Sequence, residues 1–573
     1  MATTLSRLGL TVILLVVSIG QVAAQTTPTP TPTPTQSKPK PSTSTSAPAR
    51  KKPIDPLYES SKKPEATGPI DRAVFAKLAE LGVEPVLCSD AVFLRRAYLD
   101  VIGTLPTAAE ARHFFNESDS SKRRGALVDR LLERDEFATY QAMRWGDVLR
   151  IKAEFPVNLW PNAAQAYHRW VRDSIAANKP YDQFARELLT SSGSNFRVGP
   201  VNFYRAVQNR TPEGIATATA LTLMGTRAGN WPPERLKGMA AFFSQISYKP
   251  TREWKEQCVV WDPFRTVTQR DENATQMPKG FDDDPAPVAP KPLLAVFPDG
   301  TSITIQPDRD PREVFADWLI RPENPWFTRT IANRIWSWLL GRGVVHEPDD
   351  FRDDNPPCNP ELLACLERAM IEAKYDLKQY YRTVLNSQTY QLTSIVRSED
   401  PAAAANFASY PVRRLDAEVL IDAINKITGT TELYTSPIPE PFTYIPGDMP
   451  AIAIADGSIS SPFLTLFGRS ARATGMENER NNRTMPAQWL ETLNSSHIQR
   501  KLEDGPRIKA IFAGDRRAAD ILNDLYLTIL SRPPLASEKK IITAYFRTAE
   551  ARSTLAVDLP WTLINSYEFL YRH

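Results

Sequence analysis

Sulfur and imidazole are both scarce in this chain. Four cysteines and five histidines are spread over 573 residues. Cys88 and Cys258 each stand alone. Cys358 and Cys365 would lie ~10 Å apart along the axis if both were helical, beyond disulfide reach. Cys358 precedes the expected helix start, which leaves a bridge open, but a disulfide-dense scaffold is excluded. His113, His168, His346, His497 and His573 are never close in sequence, so no run of metal ligands is spelled out. Neither a metal nor a cofactor is expected. Glycine, at 24 residues, is too sparse for a glycine-rich all-β design.

The strong catalytic motifs are missing as well. There is no G-x-x-x-x-G-K-[ST] phosphate loop, no G-x-S-x-G nucleophile turn and no C-x-x-C. His346-Glu347 has no second histidine four positions on, so H-E-x-x-H is absent too. The formal net charge is only +3, and the surplus basic residues sit near the N-terminus. The body is close to neutral, which gives no electrostatic case for nucleic acid. No segment after the N-terminus is long and apolar enough to span a bilayer, so no transmembrane helix remains once the leader is cleaved.

The N-terminus itself carries a signal. Arg7 is a short basic region, "LGLTVILLVVSIG" an apolar core, and Val22 and Ala24 fit a small-residue cleavage site. Residues 1–24 read as a secretory leader; retention as an anchor is the alternative. "QTTPTPTPTPTQSKPKPSTSTSAPARKKP" opens a Thr/Pro/Ser/Lys linker over residues 25–67, which cannot bury a core. The expected location is exported: periplasmic, envelope-associated or extracellular.

Most of the body has helical spacing. In "FTRTIANRIWSWLLGRG", Phe327, Ile331, Ile335 and Trp338 or Leu339 form one stripe, and Gly341 or Gly343 stops it. In "AVFLRRAYLDVIG", Phe93, Ala97 and Val101 share a face, with Arg95 and Arg96 off it. Prolines punctuate rather than break: Thr211-Pro212, Asp310-Pro311, Asn324-Pro325 and Asn359-Pro360 each pair a capping side chain with a proline. "LLAVFPDGTSITI" predicts a hairpin turning at Asp299-Gly300. The expected fold is mainly α: two helical domains (68–246 and 311–573) forming one body, with a small β-hairpin-containing insert between them (247–310).

Polar residues concentrate in two places. "HEPDDFRDDNPP" sets Asp349, Asp350 and Arg352 together with Asn355, and Arg329, Asn333 and Arg334 lie on the polar side of the preceding helix. Carboxylate oxygens suit hard cations; equally, the acids and arginines form a closed ion-pair network. The second cluster is Arg413, Arg414 and Asp416 in "YPVRRLDAEVL" with Glu479 and Arg480 in "MENERNNR". Paired carboxylates run acid–base chemistry, and beside arginines they also serve as plain ion pairs.

Long segments then fall into a recognisable order: "FLRRAYLDVIGTLPTAAEARHFF", "KPYDQFARELL" and "NFYRAV" in the first half, "NPWFTRTIANRIWSWLLGRGVVHEPDDFRDDNPPCNPELL", "YPVRRLDAEVLIDAI" and "LYLTILSRPPLASE" in the second. With them the chain resembles the paired secreted domains of unknown function abundant in planctomycete-type bacteria, often fused to cytochrome c-type domains. In many relatives a C-x-x-C-H haem-attachment segment follows the helix that ends here in "LTLMGTR". Here Ala228, Trp231 and Pro232 occupy those places, and Met476 and Asn478 stand where relatives carry two further cysteines. The resemblance therefore implies a haem-free member. The expected function is an exported binding or scaffold protein of the cell envelope, with a protein or polymer partner. A carboxylate-dependent extracellular hydrolase and a redox or electron-transfer protein are the alternatives.

Overall fold

The computed structural model describes residues 52–119, 122–265, 290–548 and 552–573. The leader, the linker up to residue 51 and most of the acidic loop between residues 271 and 292 lie outside the described residues.

The fold is mainly α. Its helices begin where the capping residues place them. Thr211 Oγ1 accepts the Gly214 amide (3.2 Å), Asp310 Oδ1 the Arg312 amide (2.9 Å) and Asn359 Oδ1 the Leu362 amide (3.0 Å). Each satisfies one of the orphan donors of a helix N-terminus, and the proline that follows has no amide to lose. Asn324 does the same for Trp326 and Phe327. The Phe327–Leu340 helix ends at Gly341, whose φ of +72° suits glycine. Its apolar stripe is buried as the spacing predicts. So are Thr328, Thr330, Asn333, Arg334 and Ser337, because this helix is covered on its polar side too.

Two buried apolar clusters hold the body together. One joins first-half side chains such as Phe93, Trp145 and Tyr181 to Phe315, Phe327, Trp336 and Leu385 of the second half. The other is built from residues after 414, yet it includes Leu99, Leu105, Tyr140 and Met143. The helices Asp90–Val101 and Asp135–Val148 thus contribute to both clusters. Neither cluster is confined to one half of the sequence.

The hairpin forms as expected: Leu293–Val296 pairs antiparallel with Ser302–Ile305 around Gly300. The region before it is more regular than its sequence suggests. Gln257–Trp261 is the central strand of a small sheet, between Ile246–Pro250 and Gly193–Ser194. These strands are short and mostly half-buried, so no clean alternation of apolar and polar residues marks them. All four cysteines are free thiols, Cys358 and Cys365 included. Among the described residues, no helix is long and apolar enough to cross a membrane.

One expectation reverses. Arg95 and Arg96 do not lie off the buried face; both are buried. Arg95 donates to the carbonyls of Ile529 and Phe569 (both 2.8 Å). Arg96 donates to those of Tyr390 (2.6 Å), Leu392 (2.9 Å) and His573 (3.1 Å). These second-half carbonyls, one of them at the end of the Ala518–Ile529 helix, need donors, and two adjacent guanidinium groups supply them.

Candidate functional site

The polar side of the Phe327–Leu340 helix does not meet the acidic run that follows it. Asn333 clasps the backbone instead. Its Oδ1 accepts from the amides of Val344 (2.7 Å) and Val345 (3.1 Å), and its Nδ2 donates to the Val345 carbonyl (2.9 Å). Arg334 points the other way, to the carbonyls of Thr222 (2.7 Å) and Leu221 (3.2 Å). These are end carbonyls of the Pro212–Met224 helix, where a cation is favoured by the orphan acceptors and the helix dipole. Arg329 pairs with Glu367.

The cation that meets the acidic run is Arg227, from the first half. Its Nη2 bonds Glu347 and Asp349 Oδ1 (3.0 Å), and its Nη1 lies 3.7 Å from Asp350. Asp349 is 2 % exposed, and its other oxygen accepts the Glu477 amide (3.1 Å). Nearby, the Phe351 amide donates to the Gly225 carbonyl (2.8 Å). Gly225 has φ +58°, and a Cβ there would come within 2.9 Å of the Phe351 and Thr330 side chains. The approach of the two halves needs glycine at this position. Gly225 also ends the Pro212–Met224 helix. Arg352 lies outward, 3.2 Å from Asp350 and 3.3 Å from Asp354. Asn355 donates to the Asp350 carbonyl (2.9 Å). Ala228 is buried and Trp231 lies under the Arg235 guanidinium, 4.3 Å from its ring centre.

The second cluster is also spent across the seam. Asp416 accepts from Arg572 (2.7 Å), Asn482 (2.7 Å) and Tyr140 (3.3 Å). Burial alone would raise its pKa, but Arg572, Arg480 and Arg144 hold it well below the usual carboxylate range. Such a carboxylate is a weak base. Arg480 bridges Asp147 of the first half and Glu418 of the second, both at 2.7 Å. Arg472, fully buried, adds a bond to Asp147 (2.9 Å) and one to the Ala455 carbonyl (2.7 Å). Arg572 continues to Asp100 (3.1 Å), which also accepts from Tyr390 (2.9 Å) and Tyr410 (2.8 Å). Arg413 and Arg414 serve carbonyls: Arg413 those of Trp338 (3.1 Å) and Leu339 (2.7 Å), Arg414 that of Phe467 (2.6 Å). Glu479 stands apart, folding its own loop by accepting the amides of Ala473 (2.8 Å) and Thr474 (3.1 Å).

Three members of this region carry no local sequence signal. Arg227 sits in a loop, Asp147 lies in the last turn of the Asp135–Val148 helix, and Arg572 lies 156 residues from Asp416. Two carboxyls depart from the ionised pattern. Burial raises Glu477, which accepts from Trp338 Nε1 (3.3 Å). Burial also pushes Asp422 up to about 7, against the amides of Ala451 (2.7 Å) and Ile452 (3.0 Å) that it accepts.

Asp422 makes a signed prediction. Its folded pKa is raised above the unfolded value of ~3.9, so its contribution is fully present below that pH and is lost as pH rises towards 7. His168 and His573, lowered to about 3 and about 4 chiefly by burial, act in the opposite sense: their contribution is present above ~6.5 and lost on acidification. The comparison that isolates Asp422 is the stability difference between Asp422→Asn and the unaltered chain. That difference is expected to shift in favour of the variant by about 1–3 kcal/mol between pH 4 and pH 8. Urea unfolding at four pH values measures it, and a pH-independent difference would refute the assignment.

Comparison with known families divides the chain in two. Residues 69–224 match PSCyt2, a protein of unknown function (DUF1549), and residues 311–546 match PSD1, a protein of unknown function (DUF1553). No curated protein and no solved structure matches the chain.

Proposed function

Because the chain belongs to the proteins that pair a PSCyt2 domain with a PSD1 domain, both of unknown function, we propose that it is an exported, haem-free binding or scaffold protein of the cell envelope. One observation supports this above others. The carboxylates of the two polar clusters are engaged in ion pairs, several of which join the first half of the chain to the second. Asp349 and Asp350 face Arg227, Asp147 and Glu418 face Arg480, and Asp100 and Asp416 face Arg572. Charges closed in this way rigidify a body and present little free acid or base. What remains outward on the acidic run is its tip, Arg352, Asp353 and Asp354, all exposed. That tip is offered to a protein or polymer partner.

The test is retention. The full mature chain, immobilised at known density, is expected to hold one component of an envelope extract saturably. An Arg352→Ala/Asp354→Ala variant, which leaves the Arg227 contacts intact, is expected to weaken that retention at least about tenfold, or ~1.4 kcal/mol. Unsaturable retention, or retention unchanged in the variant, sinks the reading. So does turnover of a polymer or ester substrate that Asp350→Asn abolishes. A Soret band in the purified native protein removes the haem-free part.

A further inference from the structure

Away from the charged seam, three aromatic rings from distant parts of the chain gather at the surface. Trp160 and Trp254 have ring centres 4.8 Å apart, and Phe442 lies 5.4 Å from the first and 5.7 Å from the second. The rings are not coplanar: they meet at 73°, 60° and 58°. Trp254 is 59 % exposed and Phe442 45 %. Exposed Phe155 and Tyr444 flank them in the chain. Large aromatic groups left open in this way mark interaction sites rather than core.

The backbone is bent to hold them there. Trp160 has φ +74° and ψ 147°, a region that essentially only glycine occupies. Lys255 has φ +63°, and its Nζ sits over both indoles, 5.7 Å and 5.5 Å from their centres. Neither indole N–H donates to any described residue. The surface also continues an interface already made: Phe442 of the second half lies against Trp160 and Trp254 of the first, and the exposed Pro437, Pro439 and Pro441 precede it in the chain.

We propose that Trp160, Trp254 and Phe442 form a docking site for a polyproline II chain, and that its occupant is the Thr–Pro segment of this same chain, Thr27–Thr35. A polyproline II strand leaves every carbonyl unbonded and presents proline rings as ridges. Rings set at steep mutual angles make furrows for such ridges, and the unpartnered indole N–H groups and the Lys255 ammonium supply donors for the carbonyls. Coplanar rings would instead suit the flat face of a sugar. The sequence from Thr27 to Thr35 alternates threonine and proline. Between it and Lys52, where the described chain begins, the connecting residues reach about 50 Å at ~3.1 Å each in polyproline II. That is comparable with the diameter of a body this size, so docking within one molecule and between two are both in reach.

The experiment uses the full mature chain with Pro28, Pro30, Pro32 and Pro34 replaced by serine, which vacates the site. A synthetic Thr27–Thr35 peptide is expected to bind this chain saturably and shift its tryptophan emission. Adding Trp254→Ala is expected to weaken binding at least about tenfold, and adding Trp489→Ala, at a different exposed tryptophan, to leave it unchanged. Trp254 is too exposed to carry the fold, and circular dichroism verifies this. In the unaltered chain the peptide binds more weakly, because the site is filled. No binding at millimolar peptide, or binding indifferent to Trp254→Ala, overturns the proposal. Binding of a soluble oligosaccharide but not the peptide overturns the occupant. None of these readouts depends on retention of an envelope component.

Discussion

Replacing Arg572 with alanine is expected to cost about 3–5 kcal/mol of stability, the usual consequence of removing one partner from a buried ion pair. The guanidinium holds Asp100 and Asp416, whose side chains are 0 % and 5 % exposed, and it also donates to Tyr140 (2.9 Å). Without it, both carboxylates stay buried with only tyrosines, Asn482 and more distant arginines for company. Arg572→Lys restores a charge but not the fork that reaches two acids at once, so it should recover less than half of the loss. Urea unfolding followed by tryptophan emission and by circular dichroism measures this. A loss below about 1 kcal/mol would mean that Arg144 and Arg413 already compensate the acids.

The second large effect belongs to Arg227. Arg227→Ala is expected to cost about 2–4 kcal/mol, because Asp349 is left buried and unpaired. Its surroundings make the effect separable from packing. Arg227 is a quarter exposed, and the helix it follows is closed by Gly225, not by Arg227 itself. Arg227→Ala combined with Asp349→Asn should therefore recover part of the loss, since no bare charge remains. If the double variant is as unstable as the sum of the two singles, the pair is not coupled and the tie lies elsewhere. If the two halves form one folding unit, Arg227→Ala should move a single transition, with both probes coincident.

These two arginines also show where the sequence stops being readable. Helices and turns came through local chemistry. The stripe in "FTRTIANRIWSWLLG", the Thr-Pro and Asn-Pro caps and the Asp-Gly turn all act within a few residues of themselves, and the structure bears them out. The charged contacts act over hundreds of residues. Periodicity places Arg95 and Arg96 off the buried stripe, yet carbonyls of residues 529 and 569 draw Arg95 inside. The acidic run at Asp349 is visible as a cluster, but its partner sits 122 residues earlier in a loop that reads as a plain connector. A guanidinium has the same local pattern whether it ends in water or on a buried acid, so spacing alone does not distinguish the two.

Asp100 and Arg572 are separated by 472 residues. A ribosome working at ~10 residues per second needs most of a minute to deliver the second after the first. Throughout that interval Asp100 lacks the Arg572 guanidinium, and burying it without that partner is unfavourable. The early helices therefore have a reason to stay loosely closed while synthesis continues.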